Sequence, residues 1–285
     1  MRRRVINTKL GLIEYSSVGE GTPILFIHGG HSNSEDKLTL KGLDKINFQL
    51  ITPSRPGYGK TPLDNHKTPK DAADLFVALL DELHITEIII YAVSAGGLTA
   101  LELAAHYPDR VKKLLLVSAV TKKWLNKNEK TYRIAKVLFN PNIERVTWGM
   151  IHLFSKLASG FITKNFFPEF SMKTDAVITK DEKIELSGTL QKYRSNDGFV
   201  NDIDQNINVS ILKKITCPTL ILHSKYDASV SVDHAEHAHQ EIKNSCKHIL
   251  ENKWGHMIWM GSDYTETLKL ILEFINKKKQ APNQV

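Results

Sequence analysis

Ile88-Ile89-Ile90-Tyr91-Ala92-Val93-Ser94-Ala95-Gly96-Gly97 decides the fold. Its first six residues are apolar and largely β-branched, the pattern of a strand buried on both faces. Gly97 to Tyr107 then reads as a helix that stops before Pro108. A serine at a strand-to-helix junction sits on a sharp turn, so the residues two before and two after it must be small. Ala92 and Gly96 meet that need, although glycine at both positions is the commoner form.

Working outward, apolar runs alternate with amphipathic stretches. Pro23 to Ile27 ends at His28-Gly29-Gly30, and Phe48 to Thr52 is stopped by Pro53. Asp71 to Leu83 carries apolar residues at helical spacing. Leu114 to Val117, Thr219 to Leu222 and His248 to Leu250 read as further strands, and Thr265 to Asn276 closes the chain as a helix. Strands that are apolar throughout and alternate with helices imply an α/β fold, a mostly parallel sheet with helices on both faces. Arg4 to Asn7 and Leu10 to Ser16, flanking Gly11, are expected as an antiparallel hairpin at the sheet edge.

Residues 121–205 break the alternation and read as short helices. They hold 11 of the chain's 23 aromatic side chains in under a third of its 285 residues. The expected organisation is a core from 1–120, an inserted helical cap over 121–205 with its own small core, and the rest of the main core from 206–285. The inner face of that cap is expected to line an apolar pocket, with Trp148 and Phe161 as candidate lining residues.

Composition narrows the function. Hydrophobic residues make up 41% and charged residues 24%, ordinary globular values that exclude low-complexity chains. Two cysteines exclude a disulfide scaffold and suggest a reducing compartment. The net charge is 38 − 31 = +7, with clusters at Arg2–Arg3–Arg4 and Lys277–Lys278–Lys279. No nucleic-acid recognition module accompanies it, so scattered lysines read as a solvated surface. No apolar run reaches ~18 residues, so no membrane span is expected. The basic N-terminus lacks the apolar core of a signal peptide, and a cytoplasmic protein is the expectation.

A serine hydroxyl needs an adjacent base and a group that orients the base. Asp227 lies just past the apolar strand 219–222, and His256 lies on the loop after 248–250. In a parallel sheet these C-terminal strand ends converge at one edge. Asp197, Asp202 and Asp204 are rival carboxylates, but none follows a core strand.

The chain resembles the α/β-hydrolase superfamily, capped serine hydrolase type. The resemblance rests on His28-Gly29-Gly30, Arg55-Pro56-Gly57-Tyr58-Gly59, Ala92-Val93-Ser94-Ala95-Gly96, His223 to Asp227 and Gly255-His256, which span the core in order. Ser54 departs from it, since many relatives carry an acid there. The order Ser94, Asp227, His256 is the hydrolase order. The resemblance implies an oxyanion hole from the N–H groups of Gly30 and Ala95. Such donors stabilise a tetrahedral intermediate by ~3 kcal/mol each.

Other residues are assigned quieter roles. His28 is expected to be a structural hydrogen-bonding residue, His31 to face the pocket, and His106 to end a helix. His234, His237 and His239 have metal-like spacing but lack a partner set, so no metal is expected. Cys217 and Cys246 are expected to be buried or half-buried. No glycine-rich loop precedes a phosphate-binding lysine, so no nucleotide or other cofactor is expected. The implied function is hydrolysis of a small or medium apolar carboxylic ester by a monomer or homodimer. Carbon–carbon bond hydrolysis, thioester cleavage or acyl transfer, and ligand binding with little turnover stay open. Serine at position 94 argues against dehalogenases and epoxide hydrolases, which use an aspartate there.

Overall fold

The computed structural model describes residues 3–36, 41–43 and 47–277. Arg2, Lys278 and Lys279 of the two basic clusters lie outside the described residues. The strands are β1 (Arg3–Thr8), β2 (Gly11–Val18), β3 (Thr22–Ile27), β4 (Phe48–Pro53), β5 (Ile88–Val93), β6 (Val111–Val117), β7 (Thr219–Ser224) and β8 (Ser245–Leu250). They form one eight-stranded sheet in the order β1-β2-β4-β3-β5-β6-β7-β8. The expected hairpin at the edge is β1 and β2, and β2 also runs antiparallel to β4. Every other pairing is parallel.

The continuous apolar runs are explained by what covers them. Along β5, β6 and β7, Ile90, Ala92, Leu114, Leu116 and Ile221 face a layer built from α1 (Pro69–Glu82), α2 (Gly96–His106) and α8 (Asp233–Glu241). The alternate residues Ile89, Tyr91, Val93, Leu115, Val117, Leu220 and Leu222 pack on the opposite face with α9 (Tyr264–Asn276). Burying a Leu or Ile contributes about 1.5–3 kcal/mol, so a strand with no polar face can hold its place only between two layers. Helix α1 starts two residues before the sequence pattern suggested. Pro69 occupies its first turn, and Thr68 caps it reciprocally with Asp71.

Between β6 and β7 the chain forms α3 (Lys130–Leu138), α4 (Glu144–Leu157), α5 (Ser159–Phe170), α6 (Lys180–Leu190) and α7 (Gly198–Asp202). The segment was expected to have its own core. Helices α4, α5 and α6 pack on one another, and their buried Trp148, Ile162, Leu186 and Leu190 are continuous with the apolar cluster on the α9 face of the sheet. A smaller group of Leu125, Ala135, Phe199 and Ile203 gathers around Tyr58.

Cys217 is buried as expected, whereas Cys246 is exposed. Strand β8 is the last of the sheet, and only Leu250 along it is buried. Among the described residues no helix is long and apolar enough to cross a membrane.

Candidate active site

Ser94 ends β5 in the left-handed region, at φ 51°, which a non-glycine residue adopts only when its surroundings impose it. The imposition is visible. Its N–H donates to Val117 O at 3.3 Å, and its carbonyl accepts from Gly97 N–H at 3.0 Å and Val120 N–H at 2.9 Å. A Cβ at Gly96 would lie 2.5 Å from Ile27 O and 2.7 Å from His28 O, so the small residue two after the serine is a packing requirement. Gly29 lies against Ser94 on the other side, where a Cβ would be 3.0 Å from the serine's own Cβ.

The structure brings Ser94, His256 and Asp227 together. The Ser94 hydroxyl donates to His256 Nε2 at 2.9 Å. His256 Nδ1–H donates to Asp227 Oδ2 at 2.9 Å, which fixes the tautomer that leaves Nε2 free to accept. Asp227 Oδ1 accepts from the N–H groups of Ser229 at 2.9 Å and Val230 at 2.8 Å. His223 Nε2 lies 3.1 Å from Asp227 Oδ2 and donates to Val230 O at 2.8 Å. Burial alone would raise the Asp227 carboxyl. The charge of His256, and then hydrogen bonds from His223 and His256, outweigh it and hold that carboxyl well below the usual carboxylate range. Ser94 is 7% and His256 8% exposed, so both side chains are almost enclosed.

Gly30 and Ala95 flank this serine. Among the described residues neither has a hydrogen-bond partner for its N–H. Ala95 also precedes α2, whose N-terminal dipole favours negative charge there. Beneath Gly30, Arg55 grips the loop. Its Nε donates to His28 O at 2.8 Å, Nη2 to Gly29 O at 3.1 Å, and its backbone N–H to His28 Nε2 at 2.9 Å. The same guanidinium forks onto Asp202 with two bonds of 2.7 Å, and Tyr58 O–H donates to Asp202 Oδ2 at 2.6 Å. Asp202 is therefore the buried counter-ion of Arg55 and not a rival to Asp227. His28 has the expected structural role.

His31 and Trp148 meet beside the same loop. Trp148 Nε1–H donates to Ser195 Oγ at 2.7 Å, so the Ser195 hydroxyl donates its own proton to His31 Nδ1, also at 2.7 Å. The His31 ring stacks on Phe199 with centroids 3.8 Å apart and lies 4.5 Å from Phe139. Burial, followed by the Arg55 cation, lowers His31 to about 3 and keeps it neutral. Phe161 is not part of this group. It is exposed and packs on Phe154 at the outer surface.

A further contact lay beyond reading the sequence. Phe170 O, at the end of α5, accepts from His256 N–H at 2.7 Å and Ala228 N–H at 3.2 Å. Ser171 Oγ donates to Lys253 O at 2.7 Å, and Met172 N–H donates to Tyr226 O at 2.8 Å. The inserted segment thereby ties the Asp227 loop to the His256 loop. Gly255, at φ 58°, allows the close approach, because a Cβ there would strike Phe170 O.

Of the remaining histidines, His106 ends α2 beside Glu102. His234 is buried, accepts from Thr121 N–H at 3.1 Å and is lowered to about 4 by burial and then by Lys122. Among the described residues no group of three His, Cys, Asp or Glu is placed to hold a metal.

A family model for the alpha/beta hydrolase fold matches residues 22–262. The uncharacterized hydrolase YcgS of Bacillus subtilis (strain 168) is 38% identical over 283 residues, covering 96% of this chain and 99% of that protein. The serine hydrolase BPHL of Mus musculus is 24% identical over 257 residues, covering 84% and 75%. The solved alpha/beta hydrolase fold protein from Nakamurella multipartita superposes with a TM-score of 0.80 at 25% identity, covering 95% and 98%. With sheet order, strand-end site and family match agreeing, the chain belongs to the alpha/beta hydrolase fold family.

Proposed function

We propose that this protein is a serine hydrolase that cleaves small or medium apolar carboxylic esters through an acyl-enzyme. The observation that carries the reading is the unbroken chain Ser94–His256–Asp227, with both links at 2.9 Å, beside two N–H groups that have no partner among the described residues. In the first half-reaction Ser94 Oγ attacks the ester carbonyl and His256 Nε2 takes its proton. The carbonyl oxygen becomes an oxyanion held by Gly30 and Ala95 N–H. As the intermediate collapses, the carbon–oxygen bond to the alcohol breaks and His256 returns the proton to the departing oxygen. In the second half-reaction water attacks the acyl-serine, again giving its proton to His256. The carboxylic acid leaves and Ser94 regains its hydrogen. Asp227 stays ionised throughout and steadies the imidazolium. No step calls for a cofactor.

Residues 121–205 act as a cap in this reading. The ring cluster of His31, Phe139, Trp148 and Phe199 borders Gly30, where a Cβ would lie 2.9 Å from the Phe199 ring. An apolar substituent gains there, whereas a charged one loses hydration without a partner. The test is a series of p-nitrophenyl esters against wild type and Ser94→Ala. Short to medium apolar esters should exceed charged ones by about tenfold or more, and Ser94→Ala should be inactive while folded. Turnover of a vinylogous diketone or an acyl thioester far above all esters would move the reading to the carbon–carbon or thioester alternative.

A further inference from the structure

Thirteen of the eighteen exposed large apolar side chains among the described residues fall within 121–205. Helix α4 organises part of that set. Its Trp148 and Ser155 are buried, yet Val146, Met150, Leu153 and Leu157 are exposed, at 64%, 53%, 54% and 75%. At 100° per residue these four lie within an arc of about 60°, opposite the buried pair. Phe154 and Phe161, with centroids 5.9 Å apart, extend the apolar surface onto α5. Contiguous exposed apolar surface of this kind marks an interaction site.

Charge selects the partner. From Arg145 to Pro168 there is no aspartate or glutamate. Arg145, Lys156 and Lys164 are exposed and have no ion-pair partner among the described residues. Arg145 and Lys156 both lie about 100° to one side of the stripe. Cations flanking an apolar stripe is how a helix lying in a membrane interface is built. A second copy fits poorly, because antiparallel pairing through the stripe would set Arg145 of one molecule beside Lys156 of the other.

We infer that the outer face of α4, extended by Phe161, docks this protein peripherally on an anionic phospholipid surface. The apolar side chains enter the headgroup boundary, and the cations meet lipid phosphates. This surface is separate from the triad and does not depend on the proposed chemistry.

Cosedimentation with phospholipid vesicles tests it, comparing phosphatidylcholine alone with an equal mixture of phosphatidylcholine and phosphatidylglycerol. The full-length protein should pellet with the mixed vesicles, weakly with the neutral ones, and less at about 0.5 M salt, where charges are screened within a few ångströms. Leu153→Glu/Leu157→Glu and Arg145→Glu/Lys156→Glu should each lower partitioning at least about tenfold. Lys213→Glu/Lys214→Glu, remote from α4, should change it less than about threefold. Far-ultraviolet circular dichroism verifies folding, and Leu157→Ser alone is the milder variant if a pair misfolds. Wild type that stays in solution with anionic vesicles, or equal losses from the remote pair, would overturn the inference. A wild-type dimer that the α4 variants split into monomers would overturn it in favour of a second copy.

Discussion

Asp202→Asn removes one charge from a side chain that accepts three hydrogen bonds, two from Arg55 and one from Tyr58. Arg55 and Asp202 are 2% and 5% exposed, so water cannot replace the lost carboxylate. The asparagine amide would also point N–H groups at a guanidinium that has only donors. Breaking a buried pair by removing one partner costs about 3–5 kcal/mol, a large share of the roughly 5–15 kcal/mol of a native domain. At about 2–4 °C per kcal/mol for a chain of this size class, the melting temperature should fall by roughly 6–20 °C. The matched control is Asp204→Asn. That carboxylate also binds a cation and a tyrosine, Lys136 and Tyr132, both at 2.6 Å, but it is exposed at the surface, where such pairs contribute about 0–1 kcal/mol. Thermal melts of the two variants, with ester turnover alongside, make the comparison. Turnover by Asp202→Asn should also fall, because Arg55 holds the carbonyls of the loop that presents Gly30. If Asp202→Asn melts within about 2 °C of wild type, or no lower than Asp204→Asn, the buried-pair reasoning fails.

Asp227→Asn should keep the fold but lower turnover by roughly 10⁴, since the amide no longer fixes the His256 tautomer; near wild-type rates in a steady-state ester assay would remove Asp227 from the mechanism. His234 is lowered to about 4 and His31 to about 3, whereas unfolded histidines titrate near 6.5. Between those values the unfolded chain binds more protons, so stability should drop as pH falls from about 6.5 to 4. Asp227, whose carboxyl is depressed, adds its own loss at lower pH, and chemical denaturation curves that stay superimposable from pH 7 to 4 would contradict this. Gly188→Ala in α6 should raise stability by about 0.5–1 kcal/mol, because a Cβ there meets nothing within 4 Å; a lower denaturation midpoint would show that the helix cannot take it.

How much was legible in the sequence depended on whether the signal was local. Strand β5 could be read because six consecutive residues are buried, all of them. The turn at Ser94 could be read because its steric demand falls on the adjacent Ala92 and Gly96. Asp227 and His256 could be placed because each follows its strand, and parallel strands end on one side. The Arg55–Asp202 pair could not be read, since its partners are 147 positions apart and a buried fork leaves no spacing signature. Ser54 shows the same limit: where the resemblance implies an acid, a carboxylate arrives from β2 instead, as Ser54 Oγ donates to Glu14 Oε1 at 2.8 Å. Within 121–205 the aromatic count was visible, but the direction of each ring was not. Trp148 turned inward and Phe161 outward, because the packing of α4, α5 and α6 on one another decides which face of each helix is covered.

The central claim is that Ser94 is a nucleophile activated by His256. It is tested most directly by reacting the protein with a fluorophosphonate and mapping the modified peptide. The account predicts a single phosphonylated serine at Ser94, absent in Ser94→Ala and formed far more slowly in His256→Ala. A label on any other serine, or none on folded wild-type protein, would contradict it.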